Sequence, residues 1–455
     1  MTTNDLTDDQ QIVFDKLIEF TEQYQKNMIL VTGFAGTGKT YLTNKFIDWY
    51  RDNATGIFQN CVVTAPTHKA VKVLKKFGIK NKNNREDIVY STLHSVLGLK
   101  PEITQDGTQV FVRDIKMKSK FALYDLIIID EASMIDDNLF EEIMQQNVRN
   151  SKIIFVGDPQ QIPPVNQDSS IPFIPEEQEK YGIGVLKLDK IIRQAEQNPI
   201  IQVSKSIRED NFERLEKGEL LTEDQEGHGV YFLHKSAEGK KEIQDLLKQY
   251  FNSEEFKADS DHAKVVAWRN KTVDDFNRVI RKFMYGPDVG KIVEGEKLIA
   301  DKPIFDQIAG EIIINTNEDL VVESMVIDSK TVYNIPFKFY KIRAIGDEGE
   351  IKDIDVIHES QEIVFQRLLT KLANTAKELP KGSKRISAWK NFYETKEMFA
   401  EVKYNYAITA HKSQGSTYTN AFVIATDINA NPKDDEKRRI LYTACTRPKE
   451  RLFII

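Results

Sequence analysis

Short apolar runs alternate with longer stretches of helical spacing along most of this chain. Met28-Ile29-Leu30-Val31, Cys61-Val62-Val63-Thr64, Leu126-Ile127-Ile128-Ile129 and Lys152-Ile153-Ile154-Phe155-Val156 are nearly free of polar interruption. Runs of that length suit parallel strands buried on both faces. After the first run, Tyr41, Leu42, Phe46, Ile47 and Tyr50 recur at helical spacing. The segment Leu186 to Arg193 closes this first α/β unit, and a second begins near Asn198. Its pieces are a helix over about 198–209, strand Val230-Tyr231-Phe232, a helix from Ala237 to Phe251 and strand Lys264-Val265-Val266-Ala267.

Two stretches break the alternation. Residues 98–118 read as an insertion, with a D-G hairpin signal at Asp106-Gly107 and a return strand at Val110-Phe111-Val112. From 286 to 400 strand-like runs crowd together: Glu311–Asn315, Leu320–Ile327 and Val332–Phe339. They read as a small β-barrel or sheet. A basic, partly helical stretch carrying Trp389, Phe392 and Tyr393 follows, and its aromatics form either a stacking surface or a local core. The α/β pattern resumes at Ala407, with strands at Ala421–Ala425 and Leu452–Ile455 around a helix at Ile440–Arg447.

Length and composition narrow the class. A chain of 455 residues holds about three domains. Hydrophobic residues make up 40% and charged residues 29%, and no apolar run approaches membrane-span length. A soluble, cytoplasmic protein is expected. Cys61 and Cys445 both sit in apolar runs and offer neither a disulfide framework nor metal spacing. A net charge of −7 disfavours nonspecific coating of nucleic acid but leaves room for a local basic track. Lys69, Lys72, Lys75 and Lys76 form one, and Lys381, Lys384 and Arg385 another, although each alone reads first as a solvated face.

The chemistry begins at Gly33-Phe34-Ala35-Gly36-Thr37-Gly38-Lys39-Thr40, which matches G-x-x-x-x-G-K-[ST] between a strand and a helix. Backbone N–H groups from Gly33 to Thr40 are expected to curl round phosphate oxygens at a helix N-terminus. Lys39 would reach the β- and γ-phosphates, and Thr40 would ligate Mg²⁺. The apolar strand at 126–129 ends in Asp130-Glu131. Asp130 is placed to share that Mg²⁺, and Glu131 to orient or deprotonate the attacking water. Gln161, in the loop after strand 152–156, is a candidate sensor of the γ-phosphate. Arg193 is either a surface cation or a stabiliser of transferring phosphate charge. Gln10, three residues after Thr7, is either a capping-box partner or a reader of the adenine edge. Thr67-His68-Lys69 is either an ordinary capped helix start or a phosphate contact.

The series GFAGTGKT, TAPTHKA, STLH, IIIDEAS, VGDPQQIPPV, the Arg193 segment, ITAHKSQGST and LYTACTRPKE, in that order, resembles the superfamily-one helicases. Within them it is most similar to the 5′-to-3′ branch of Dda-type and RecD-type enzymes, over nearly the whole chain. The resemblance implies an α/β fold: two RecA-like parallel-sheet domains, an inserted β-hairpin pin, and an inserted Src-homology-3-like β-barrel with a helical hook. It divides the chain into a first domain at 1–190, with the pin at about 98–118, and a second at 191–285 plus 401–455. The barrel and hook occupy 286–400. ATP and Mg²⁺ would sit between the RecA-like domains, with Arg193 and Arg447 as arginine fingers. The resemblance places Thr64, Pro66, His68, Lys69, His94, Asn270, Thr409, His411 and Lys412 along a single-strand path. Phe111 would stand near the pin tip, where Trp389, Phe392 and Tyr393 of the hook would clamp it.

The expected activity is an ATP-dependent 5′-to-3′ DNA helicase that moves on single-stranded DNA and opens a duplex fork. It would act as a monomer, alongside single-strand-binding or replication and recombination proteins. The alternatives are a translocase that mainly displaces bound proteins, a helicase–nuclease and a nucleotide-driven switch. One departure stands out. Thr417-Tyr418 follows Gln414-Gly415-Ser416 where many relatives carry an acid, so a ribose or metal contact made by that acid elsewhere is not expected here.

Overall fold

A computed structural model describes the chain except residues 1–5, 24–26, 54–59, 80–87, 104–108, 114–118, 149–150, 193–196, 211–221, 234–235, 306–311 and 347–348. The first sheet is built from β1 (Met28–Gly33), β2 (Cys61–Ala65), β3 (Ile88–Thr92), β6 (Leu126–Ile129), β7 (Lys152–Gly157) and β8 (Ile183–Leu188). Between β3 and β6 the chain makes a separate antiparallel hairpin of β4 (Leu99–Ile103) and β5 (Gln109–Arg113). The six strands run parallel in the order β3-β2-β6-β7-β1-β8. Every residue of β1, β2, β6 and β7 is buried, as strands covered on both faces must be. Helices α1 (Asp8–Glu22), α2 (Lys39–Asn53) and α3 (His68–Ile79) lie among the elements that cover it.

The second sheet comprises β9 (Gly229–Phe232), β10 (Ala263–Ala267), β18 (Ala407–Thr409), β19 (Tyr418–Val423) and β20 (Pro448–Ile454). They too are parallel, in the order β18-β10-β19-β20-β9. Between β10 and β18 the chain leaves to form β11 (Lys297–Ala300), β12 (Ile304–Phe305), β13 (Ile312–Ile314), β14 (Asp319–Val332), β15 (Ile335–Ile345), β16 (Ile351–Ile357) and β17 (Val402–Tyr404). Five of these make an antiparallel sheet, β16-β15-β14-β11-β17. Because β17 pairs with β11, this inserted sheet takes in residues just beyond 400.

Sequence pattern ran two strands of the insert together wrongly. The run Val332–Phe339 is not one strand, because the chain reverses at Tyr333-Asn334, where φ is 48° and 62°. Positive φ at both central residues is the two-residue turn that matches the twist of a hairpin. The long β14–β15 hairpin then carries two cores. One lies round Leu320, Val322 and Ile342. The other joins Val332, Phe337 and Phe339 to Phe365, Leu368 and Leu369 of helix Glu362–Glu378. The following helix, Ser383–Lys396, reaches back to touch β4 of the small hairpin.

Candidate functional site

The seam between the first two sheets lies at the carboxyl ends of the first sheet's strands, the edge where open parallel sheets receive ligands. β1 delivers the glycine-rich loop to that edge. Gly36 and Gly38 take φ of 82° and 78°, a conformation side chains rarely adopt. A Cβ on Gly38 would lie 2.3 Å from Gln10 Nε2 and 2.8 Å from Ile192 Cδ1, so the loop is also closely covered. Lys39 Nζ donates to Gly33 O (2.7 Å) and Phe34 O (3.0 Å), placing the ammonium over the loop. Gln10 does two things at once. Its side chain accepts from Thr7 N–H in a complete capping box, and its Nε2 donates to Thr37 O at 3.2 Å. The amide therefore braces the phosphate loop.

β6 brings the paired acids to the same edge. Glu131 N–H donates to Asp130 Oδ1 at 2.9 Å, and Glu131 itself sits at φ 52°. A non-glycine residue held there is strained backbone of the kind found at functional sites. Asp130 is half-buried, yet the protein around it and the neighbouring Glu131 charge push its carboxyl up to about 7, with Lys39 opposing them. An Asp130 carboxylate whose charge is opposed by burial and by its acidic neighbour suits a divalent cation, which would offset that cost. The donor set fits Mg²⁺ in this respect.

The loop after β7 carries Asp158 and Gln161, both buried. Gln161 Oε1 has no hydrogen-bond partner, an orphan acceptor at the seam. Across the seam stands helix Asp434–Cys445 of the second sheet. Tyr442 Oη accepts from Ala35 N–H (2.9 Å) and donates to Asp158 Oδ2 (2.6 Å). Thr443 Oγ1 accepts from Ile162 N–H (3.2 Å), and Arg439 Nη1 donates to Pro159 O (3.0 Å). Gln414 Nε2 adds a bond to Ile162 O at 2.8 Å. The Arg208 guanidinium lies 3.8 Å from the Phe34 ring centroid. Neither Tyr442 nor Arg208 stands out in sequence. A tyrosine within an apolar helical pattern reads as core, although a buried phenol must find a partner for its hydroxyl.

Arg447 is not aimed at the phosphate loop, contrary to the arginine-finger expectation. It is buried and turned onto its own domain, donating to Thr443 O (2.9 Å), Ser416 O (3.2 Å) and Thr446 Oγ1 (3.1 Å). The second-domain side chain that hydrogen-bonds to the loop is Tyr442 instead. Arg193 lies outside the described residues.

The residues expected along a nucleic-acid path divide by exposure. His68 and Asn270 are exposed, and Pro66, His94 and His411 are half-buried. The protein surrounding them holds the imidazoles of His94 and His411 below their usual range, and that of His68, exposed at its surface, is lowered by the protein around it and by His94. The His94 ring lies 4.9 Å from that of Phe111, which is 57% exposed. His94 and Phe111 thus form an aromatic pair beside the small hairpin, with the exposed His68 near His94. Phe111 sits mid-strand opposite Pro101 and not at a tip.

Four expected contacts are corrected. Thr64 is fully buried within β2, and Thr409 is buried with its Oγ1 accepting from Lys412 N–H. Lys69 is buried in an ion pair with Asp319 of β14 (3.1 Å), with Asp261 at 3.9 Å. Trp389 is 5% exposed and packs on Phe392 and Tyr393, so these aromatics form a local core. Among the described residues, no ring contact joins Trp389, Phe392 or Tyr393 to Phe111. Lys412 pairs with Asp301 at 2.5 Å and stays half-buried.

Comparison with known proteins follows this layout. An AAA domain model matches residues 18–167, a Dda helicase SH3 domain matches 290–404, and a UvrD-like helicase C-terminal domain matches 404–455. The chain is 29% identical to the ATP-dependent DNA helicase dda of Enterobacteria phage T4, over all of both chains. It is 28% identical to an uncharacterised protein of Acanthamoeba polyphaga mimivirus, covering 97% of this chain and 98% of that one. A RecBCD subunit RecD from Buchnera aphidicola is 27% identical over 94% of this chain and 70% of its own length. Among solved structures, Bacteroides Pif1 bound to ADP-AlF3 and single-stranded DNA superposes with a TM-score of 0.51 at 17% identity, covering 98% and 92% of the two chains. That likeness speaks for the fold: two RecA-like domains carrying an inserted SH3-type domain.

Proposed function

We propose, from the premise that this chain belongs to the superfamily-one helicases as a full-length homologue of Dda, that it couples ATP hydrolysis to 5′-to-3′ movement on single-stranded DNA and opens duplex ahead of it. The observation that carries this reading is the seam itself. The phosphate loop and the 158–162 loop of one parallel sheet meet a helix of the other through the Ala35–Tyr442–Asp158 bonds, with the Asp130-Glu131 pair at the first sheet's carboxyl edge.

Backbone N–H groups of the loop and Lys39 would take the phosphates, and Gln10 would hold the loop's shape. Thr40 and Asp130 would hold Mg²⁺, which when bound draws charge from the phosphate oxygens. Glu131 would orient water, its backbone N–H bonded to Asp130 Oδ1. Gln161, with its unpartnered oxygen, would sense the transferring phosphate. Arg193 and Arg447 would supply cations once the domains rearrange, which for Arg447 means leaving Thr443 O and Ser416 O. Single-stranded DNA would run past Pro66, His68, His94, Asn270, His411 and Lys412, with Phe111 at the junction. We assign the first motor domain to 1–190 and the inserted unit to 286–404, and expect a monomer. No helix among the described residues is long and apolar enough to cross a membrane.

ATP hydrolysis with and without single-stranded DNA, followed by unwinding of 5′-tailed against 3′-tailed duplex, tests the proposal. Stimulated turnover and opening of the 5′-tailed substrate are expected. Lys39→Ala should abolish turnover and leave single-strand affinity largely intact. DNA-stimulated turnover surviving in that variant would sink the assignment.

A further inference from the structure

Helix Asp434–Cys445 approaches the first sheet with one face. Arg439, Tyr442 and Thr443 stand at i, i+3 and i+4, the spacing that aligns side chains on a helix. Arg439 and Thr443 bond to the backbone of Pro159 and Ile162. Tyr442 bonds Asp158 in the same loop and, alone of the three, reaches the phosphate loop at Ala35. It is 1% exposed, so its hydroxyl has no water to turn to. The geometry is reciprocal: the oxygen accepts one proton from the Ala35 amide and donates its own to Asp158.

An amide N–H has one proton to give. The N–H groups of this loop are the ones a nucleotide's phosphate oxygens need. Ala35 N–H cannot serve the phenol and a phosphate fully at once. We propose that the Tyr442 hydroxyl is a placeholder for a nucleotide phosphate oxygen on Ala35 N–H, and that its displacement is the event by which the second domain reads nucleotide occupancy. When phosphate takes the amide, Tyr442 keeps its donor bond to Asp158. The helix therefore stays fastened to the 158–162 loop while it lets go of the phosphate loop. The contact that changes is a single acceptor bond, and the groups that feel it are already docked. Tyr442 is in this sense a positioning residue. The inference rests on the reading of the loop as a nucleotide site.

The test is Tyr442→Phe in the full chain, titrated with a non-hydrolysable ATP analogue carrying a methylanthraniloyl fluorophore. Removing the competitor should tighten binding by roughly threefold to tenfold, the worth of one neutral hydrogen bond. The wild-type chain should change its affinity for single-stranded DNA when the analogue is added, and the variant should lose most of that response, which a mere packing role would not affect. Asp158→Asn, which weakens the hold on the phenol, should shift analogue affinity in the same direction by less. It serves as the second variant should Tyr442→Phe melt earlier than wild type. Binding by Tyr442→Phe that is unchanged or weaker than wild type overturns the placeholder role. Equal binding by wild type and Lys39→Ala overturns the nucleotide reading and the placeholder with it.

Discussion

Phe111 shows how one side chain can be tested apart from the fold. It is 57% exposed and touches the His94 ring, so truncating it removes little buried surface. A stacked aromatic contributes roughly 1–3 kcal/mol per base. Phe111→Ala should therefore lower the duplex-unwinding rate by about tenfold while single-strand-stimulated ATP turnover stays within about twofold. Equal loss of both would make it a folding residue. At this scale the sequence was legible where local spacing is itself the chemistry. Lys39, Thr40, Asp130 and Glu131 follow strand ends, and strand ends dictate where side chains go. Lys69 misled because a basic helix start looks alike whether it meets phosphate or a carboxylate 250 positions away. Tyr442 was missed because its partner Ala35 lies 407 positions off. Gln10 keeps the capping role and adds a brace on the loop through Thr37 O, a contact that neither the capping reading nor the adenine-edge reading had named.

Among the elements, the long β14–β15 hairpin departs furthest from the pattern. Its turn puts Tyr333, a bulky residue that is 53% exposed, at φ 48°. Side chains other than Gly, Asn and Asp pay for that region, typically about 1–2 kcal/mol. Tyr333→Asn should raise the melting temperature by the equivalent of roughly 0.5–1 kcal/mol with activity unchanged. A lowered melting temperature would mean that the ring is packed against something that offsets the strain. The turn was illegible because Tyr-Asn carries only half of the usual Asn-Gly signal, and β-branched residues flank it. The fully buried strands β1, β2, β6 and β7, by contrast, were found to within two residues, since burial on both faces leaves a continuous apolar run, whereas the less buried β3 was missed. The aromatic hook read ambiguously for a simple reason: stacking surfaces and small cores use the same side chains, and only the facing residues tell them apart. Phe392 lies against the core that holds Phe337 and Phe365.

For the whole molecule, the junction of three sheets is the element that spacing could not show. Lys69 at the start of α3 reaches Asp319 at the start of β14, both buried, while Gly415 of the second domain presses within 2.8 Å of Ala70 if given a Cβ. The Asp319 carboxyl is held below its usual range by Lys69 and Lys264 against its burial. Lys69→Met leaves that carboxylate without its main partner and should cost about 3–5 kcal/mol in chemical denaturation. Pairing it with Asp319→Leu should recover most of the loss. A single variant as stable as wild type would show that the pair opens freely in solution.

That ion pair also bears on how a moving machine stays accurate. Two oily surfaces of the same size would cling, because parting them exposes hydrocarbon to water. A lysine and an aspartate regain their hydration when they separate, which returns much of what their attraction supplied. Such a contact behaves as a detent: it fixes where α3 comes to rest against the inserted sheet and resists departure only slightly. A joint of this kind can cycle many times, each time finding the same register.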